Sequence, residues 1–136
     1  MRKMLLILCA TATINVFAAE IKIQKTNNYI RAFKTWKNLD GGVQHLEVRK
    51  YLKDDGNFKK GDFTAFAKYH YPGTIVRHRR IVEKKLSEEE LENPNKIYVT
   101  VTLGKDEKYT QSEYYNLSGY IEKIKGSEIW QKTRNN

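Results

Sequence analysis

The chain has 136 residues with 25 Lys and Arg against 16 Asp and Glu, a formal net charge of +9 at pH 7, and one cysteine. This length suits one domain with a modest core. The single cysteine excludes an internal disulfide framework and a thiolate metal cluster, and the positive charge favours anionic partners.

Met1-Arg2-Lys3 is a short basic start, followed by the apolar run Met4-Leu5-Leu6-Ile7-Leu8-Cys9-Ala10, which weakens through Thr11, Thr13 and Asn15 toward Val16-Phe17-Ala18. A charged start, a short apolar run and a small-residue end are the marks of a secretory signal. We expect cleavage between Ala18 and Ala19, leaving 19–136 as one exported domain, periplasmic or secreted. As a helix, Met4–Ala19 would span about 24 Å at roughly 1.5 Å per residue, short of a hydrocarbon core about 30 Å thick. A retained anchor is therefore the weaker expectation. Leu8 before Cys9 disfavours a lipid-attachment site. Cleavage removes Arg2, Lys3 and Cys9, lowers the net charge from +9 to +7 and leaves a cysteine-free domain. Small secreted animal domains lean on disulfides, so this composition points to a bacterial envelope.

Glu20–Lys25 alternates apolar and polar residues and predicts a strand, with a turn or helix cap at Thr26-Asn27-Asn28. Tyr29, Ile30, Phe33 and Trp36 fall at helical spacing and predict an early helix over 29–38, broken by Asp40-Gly41-Gly42. Strands are predicted over 43–52 and 63–71, with a turn at 53–57 between them. The second of these could also be a helix capped by Asp62, but its aromatic content favours a strand. Thr74–Leu86 reads as a further strand. A three-residue loop Pro72-Gly73-Thr74 would set Tyr69 opposite Arg77.

Ser87-Glu88-Glu89-Glu90 is a capping box with Leu86 and Leu91 at staple positions, and Asn93-Pro94 ends that helix. Ile97–Leu103 has apolar odd positions and mostly Thr at even ones, the pattern of a half-buried strand. Thr110-Gln111-Ser112-Glu113 reads as a second capping box, starting a helix with the stripe Tyr114, Leu117, Ile121 and Ile124 and a stop at Gly126. Ile129 and Trp130 would pin the tail to the core. Together these elements predict an α+β domain with an antiparallel sheet of about four to five strands, an early helix and a C-terminal amphipathic helix.

The most unusual stretch is Arg77-His78-Arg79-Arg80, followed by Lys84-Lys85. Neither strand face of it is cleanly apolar, and unpaired guanidinium is costly to bury. It should be an edge, a projecting hairpin arm or the wall of a groove. Charged edge strands also prevent sheet-to-sheet association, which is the structural explanation of the same residues. The functional expectation is an anion or partner site built from Arg77, His78, Arg79, Arg80, Lys84, Tyr69 and Tyr71, with guanidinium forks for phosphate or carboxylate and rings for stacking. A helix-turn-helix reading of the same region conflicts with export.

No catalytic residues are assigned. His45, His70 and His78 have no H-x-x-x-H or H-E-x-x-H spacing, so no metal site is expected. There is no G-x-S-x-G and no phosphate-binding glycine loop, and no cofactor is expected. Asn116-Leu117-Ser118 is a formal glycosylation sequon. The leading expectation is a small exported non-enzymatic binding protein, of inhibitor or immunity type or binding polyanions. Its partner would be an anionic macromolecule or acidic protein, and no membrane segment would remain after cleavage. The alternative is a secreted metal-independent nuclease using His78 or His70 with Arg77 and Arg79.

Overall fold

The structure is a computed structural model that describes residues 20–39, 41–70, 82–102 and 110–135. In chain order the elements are β1 (Lys22–Lys25), β2 (Tyr29–Lys37), β3 (Val43–Tyr51), β4 (Phe63–His70), β5 (Lys84–Lys85), α1 (Glu88–Glu92), β6 (Ile97–Thr102), β7 (Thr110–Tyr115) and α2 (Ser118–Asn135). The strands form one seven-stranded sheet in the order β1-β2-β3-β4-β6-β7, with β5 also on β4.

This corrects the expected fold. The coarse α+β class holds, but the sheet is larger than four to five strands and is mixed rather than antiparallel, because β4 and β6 run parallel. One edge of β4 is shared: β5 pairs at Thr64 and Ala65, and β6 at Ala67 and Lys68.

There is no early helix. Residues 29–37 are β2, paired along their whole length with β3. Ile30 and Ala32 are buried on one face, while Arg31 and Phe33 take the other. Thr26 decides the local outcome. Its hydroxyl oxygen accepts the N–H groups of Asn28 and Tyr29 at 3.2 and 3.0 Å, and its own N–H donates to the Tyr29 carbonyl at 2.8 Å. These bonds close a β1–β2 hairpin where a cap would have opened a helix.

The second capping box is also overturned. Thr110–Tyr115 is β7, antiparallel to β6. The Asn116 side chain accepts the Ser118 N–H at 3.0 Å just ahead of α2. The buried stripe is Leu117, just ahead of α2, with Tyr120, Ile121 and Ile124 within it, and the helix continues past Gly126. Of the predicted strand over 74–86, the described part forms only the two residues of β5. The Pro72-Gly73-Thr74 loop and the Arg77 pairing lie outside the described residues.

Other expectations hold. Ser87 and Glu90 form the reciprocal capping box at 3.0 and 3.1 Å, and α1 ends at Asn93. Along β6, Ile97, Val99 and Val101 are buried. With Ile30, Ala32, Leu46, Val48, Phe63, Ala65 and Ala67 they form one face of the sheet, and the stripe of α2 packs into the same core. Among the described residues, no helix is long and apolar enough to cross a membrane.

Candidate binding face of the sheet

The strand pleat that aims Ile30 and Ala32 at α2 aims Arg31 and Phe33 at the opposite face. Register carries this face across the sheet: His45, Glu47 and Arg49 from β3, Thr64 and Phe66 from β4, Tyr98 and Thr100 from β6, Ser112 and Tyr114 from β7.

Its centre is Glu47, with no exposed surface. Arg31 donates from Nε to Oε2 at 3.0 Å and from Nη2 to Oε1 at 2.7 Å, a bidentate fork. Arg49 Nε donates to Oε2 at 2.6 Å. His45 Nε2 lies 2.8 Å from Oε1, and its Nδ1 lies 2.8 Å from Thr35 Oγ1. Burial alone would raise the Glu47 carboxyl, but the hydrogen bonds from His45, Arg31 and Arg49 outweigh it and hold it at about 2. Burial likewise opposes the charge on Arg49, yet its bond to Glu47 raises its pKa further above the usual arginine value.

Rings brace the guanidinium groups. Arg31 lies 3.8 Å above the Phe33 ring, and Arg49 sits 4.2 Å from Tyr29 and 4.8 Å from Phe66. His45 stacks near both Phe33 and Phe66, at 5.7 and 5.9 Å. A second carboxylate, Glu83, extends the network: it accepts from Tyr51 at 2.7 Å, Thr64 at 2.5 Å and Arg49 at 3.4 Å. Burial first, then the bond to Glu83, push the Tyr51 phenol up to about 12.

Thr35, His45 and Glu47 line up as hydroxyl, imidazole and carboxylate, the order of a proton relay. A carboxylate held at about 2 and shared by two guanidinium groups is a weak base, so it offers the relay little driving force. The same bonds lock the side chains in place. Among the described residues, no group of three or more His, Cys, Asp or Glu could hold a metal ion.

Toward the β7 edge the face changes character. Tyr98 and Tyr114 are 51 % and 60 % exposed. Their ring centroids are 4.9 Å apart, and Lys96 Nζ lies 5.0 Å from the Tyr114 ring. Large aromatic rings left this exposed beside a cation are the surface feature that most invites a partner.

Of the residues singled out by sequence, Arg77, His78, Arg79, Arg80 and Tyr71 lie outside the described residues. Lys84 is in β5 and pairs with Glu90 at 2.9 Å. Tyr69 is buried in the core, on the face opposite Arg31. His70 ends β4 opposite Val43. Lys84 falls opposite Ala65, four residues along β4 from Tyr69. The structure also brings together a set of which the sequence singles out only His45: Arg31, His45, Glu47, Arg49 and Glu83. The signal was present in Glu47 and Arg49, charges two apart on one strand face. It became legible only once Arg31 was on a neighbouring strand. Comparison of the chain with protein-family models, curated proteins and solved structures gave no match.

Proposed function

We propose that this chain is an exported, non-enzymatic binding protein of inhibitor or immunity type, and that it engages an acidic protein through the sheet face carrying Tyr98, Tyr114 and Lys96. The observation that carries this reading is the exposed tyrosine pair with its lysine. Two further points support it. The chain carries a strong excess of cations. The central arginines, which would otherwise suit phosphate, are already engaged by Glu47 and Glu83, so a protein surface fits better than a nucleic acid. Tyr and Arg are also the residue types enriched at protein recognition sites.

Affinity capture from envelope and culture-medium fractions, with mass spectrometry, tests the reading. The expected result is one acidic protein whose affinity falls about tenfold or more for Tyr98→Ala or Tyr114→Ala and weakens with salt. Binding that ignores both substitutions overturns the assignment of the face. Metal-independent cleavage of RNA or DNA, lost on His70→Ala or His78→Ala, would replace this reading with the nuclease.

A further inference from the structure

The two edges of the sheet are built differently. β1 exposes all four of its residues, and two of them are Lys22 and Lys25. Edge lysines disfavour pairing with another strand. At the other edge, β7 is the six-residue strand Thr-Gln-Ser-Glu-Tyr-Tyr, with no lysine, arginine or proline. Among the described strands it pairs only with β6.

That strand is complementary to itself. In an antiparallel pairing of two copies centred on Ser112, Ser112 faces Ser112, Gln111 faces Glu113, and Tyr114 falls opposite Thr110. The amide of Gln111 can donate to the Glu113 carboxylate twice over, once on each side of the axis. No like charges meet. A pairing centred on Glu113 would instead set carboxylate against carboxylate, which is unfavourable. Within one chain, Gln111 Nε2 already lies 3.4 Å from Glu113 Oε2, so a second donor from the neighbour meets an acceptor held in place.

We infer that β7 is a self-association edge, along which two copies of this chain pair antiparallel about Ser112 to form one continuous sheet. A twofold axis through Ser112 and perpendicular to the sheet keeps like faces on the same side. Both tyrosine pairs then lie on one surface. α2 packs against β1, β2 and β3 at the far end of the sheet. Backbone pairing over so few residues is a small interface, so the association depends on concentration.

Sedimentation equilibrium of the purified chain over a concentration series tests this. The expected result is a mass that doubles as concentration rises. Ser112→Lys sets lysine against lysine at the axis and should weaken association tenfold or more, with an unchanged circular dichroism spectrum. Gln111 reads the register without touching the core. Gln111→Lys faces the neighbour's Glu113 and should tighten association about fivefold, whereas Gln111→Glu should weaken it about as much. A chain that is monomeric up to about 1 mM, far above the range of specific interfaces, overturns the inference. So does a dimer indifferent to Ser112→Lys, or one in which both Gln111 variants act in the same direction. A chain that stays monomeric but takes up a foreign extended peptide along β7 gives the edge to another partner and also overturns it.

Discussion

The guanidinium of Arg31 on β2 grips the carboxylate of Glu47 on β3 through two hydrogen bonds of 2.7 and 3.0 Å. The two residues are not directly opposite. Glu47 faces Phe33 and Arg31 faces Arg49, so the fork reaches diagonally across the pair of strands. That diagonal places the carboxylate between Arg31 and Arg49, the like charges that share a register, and both Nε groups donate to its Oε2, so one anion neutralises both.

Removing that carboxylate charge should therefore be costly. Glu47→Gln leaves Arg31 and Arg49 partly buried without their shared anion, and the expected loss is about 3–5 kcal/mol. Arg31→Lys keeps the charge but loses the planar fork and should cost less, about 1–2 kcal/mol. Urea midpoints of the two variants against the parent chain check both the size and the order.

Stability should fall at both ends of the pH range. The Glu47 carboxyl sits at about 2 in the folded chain against an ordinary 4.5. Its contribution is complete above the unfolded value and is lost as pH falls from there through about 2, because the unfolded chain then binds the proton first. That separation corresponds to roughly 3 kcal/mol. At the alkaline end, burial pushes Tyr51 and Tyr120 up to about 12 against an ordinary 10.0. Unfolded tyrosines ionise first, so stability declines above about pH 10. Thermal midpoints from pH 2 to 11 follow both limbs, and Glu47→Gln should flatten the acid one.

Gly42 follows the β2–β3 turn and lies against Tyr69. A Cβ there would overlap the end of the Tyr69 side chain and come within 2.9 Å of the His70 carbonyl oxygen. Gly42→Ala should cost about 1–3 kcal/mol by overpacking. Gly56 provides the contrast: its φ is +58° and a Cβ there meets nothing within 4 Å. Gly56→Ala should cost only the backbone term, about 1–2 kcal/mol. The added difference for Gly42 should shrink when Tyr69 is replaced by a smaller apolar residue, which thermal melts of the double variant would reveal.

The proposed export predicts a defined mature end. The chain recovered from the envelope or medium should begin at Ala19, as read by intact mass and N-terminal sequencing. Recovery of a chain still beginning at Met1 would return the anchored reading.

The misread elements share a cause. Tyr29, Ile30, Phe33 and Trp36 satisfy a helical stripe, while Ile30 and Ala32 against Arg31 and Phe33 satisfy a strand. Periodicity cannot separate two patterns that one segment carries together. Pairing with β1 and β3 on both edges settled it. Likewise, Thr110-Gln111-Ser112-Glu113 carries the letters of a capping box. In the fold it gains a ladder along β6 instead, and the helix starts beyond Asn116. The basic run Arg77–Arg80 stands out by composition, whereas the array around Glu47 is spread over β2, β3 and Glu83, and its local mark is only the Glu47–Arg49 spacing.

What the sequence determined by itself was local. The alternation of Ile97, Val99 and Val101 specified a half-buried strand, and Ser87 with Glu90 specified the start of α1. Each of these patterns is carried by residues within a few positions of one another, and the Ser87–Glu90 cap is also closed there. Tertiary structure alone decided the parallel β4–β6 pair, the strand state of β2 and the burial of Glu47. Those depend on which strands become neighbours. An ionised carboxylate is buried at tolerable cost only where charged and hydrogen-bonding partners meet it, and here Arg31 reaches Glu47 from the neighbouring strand.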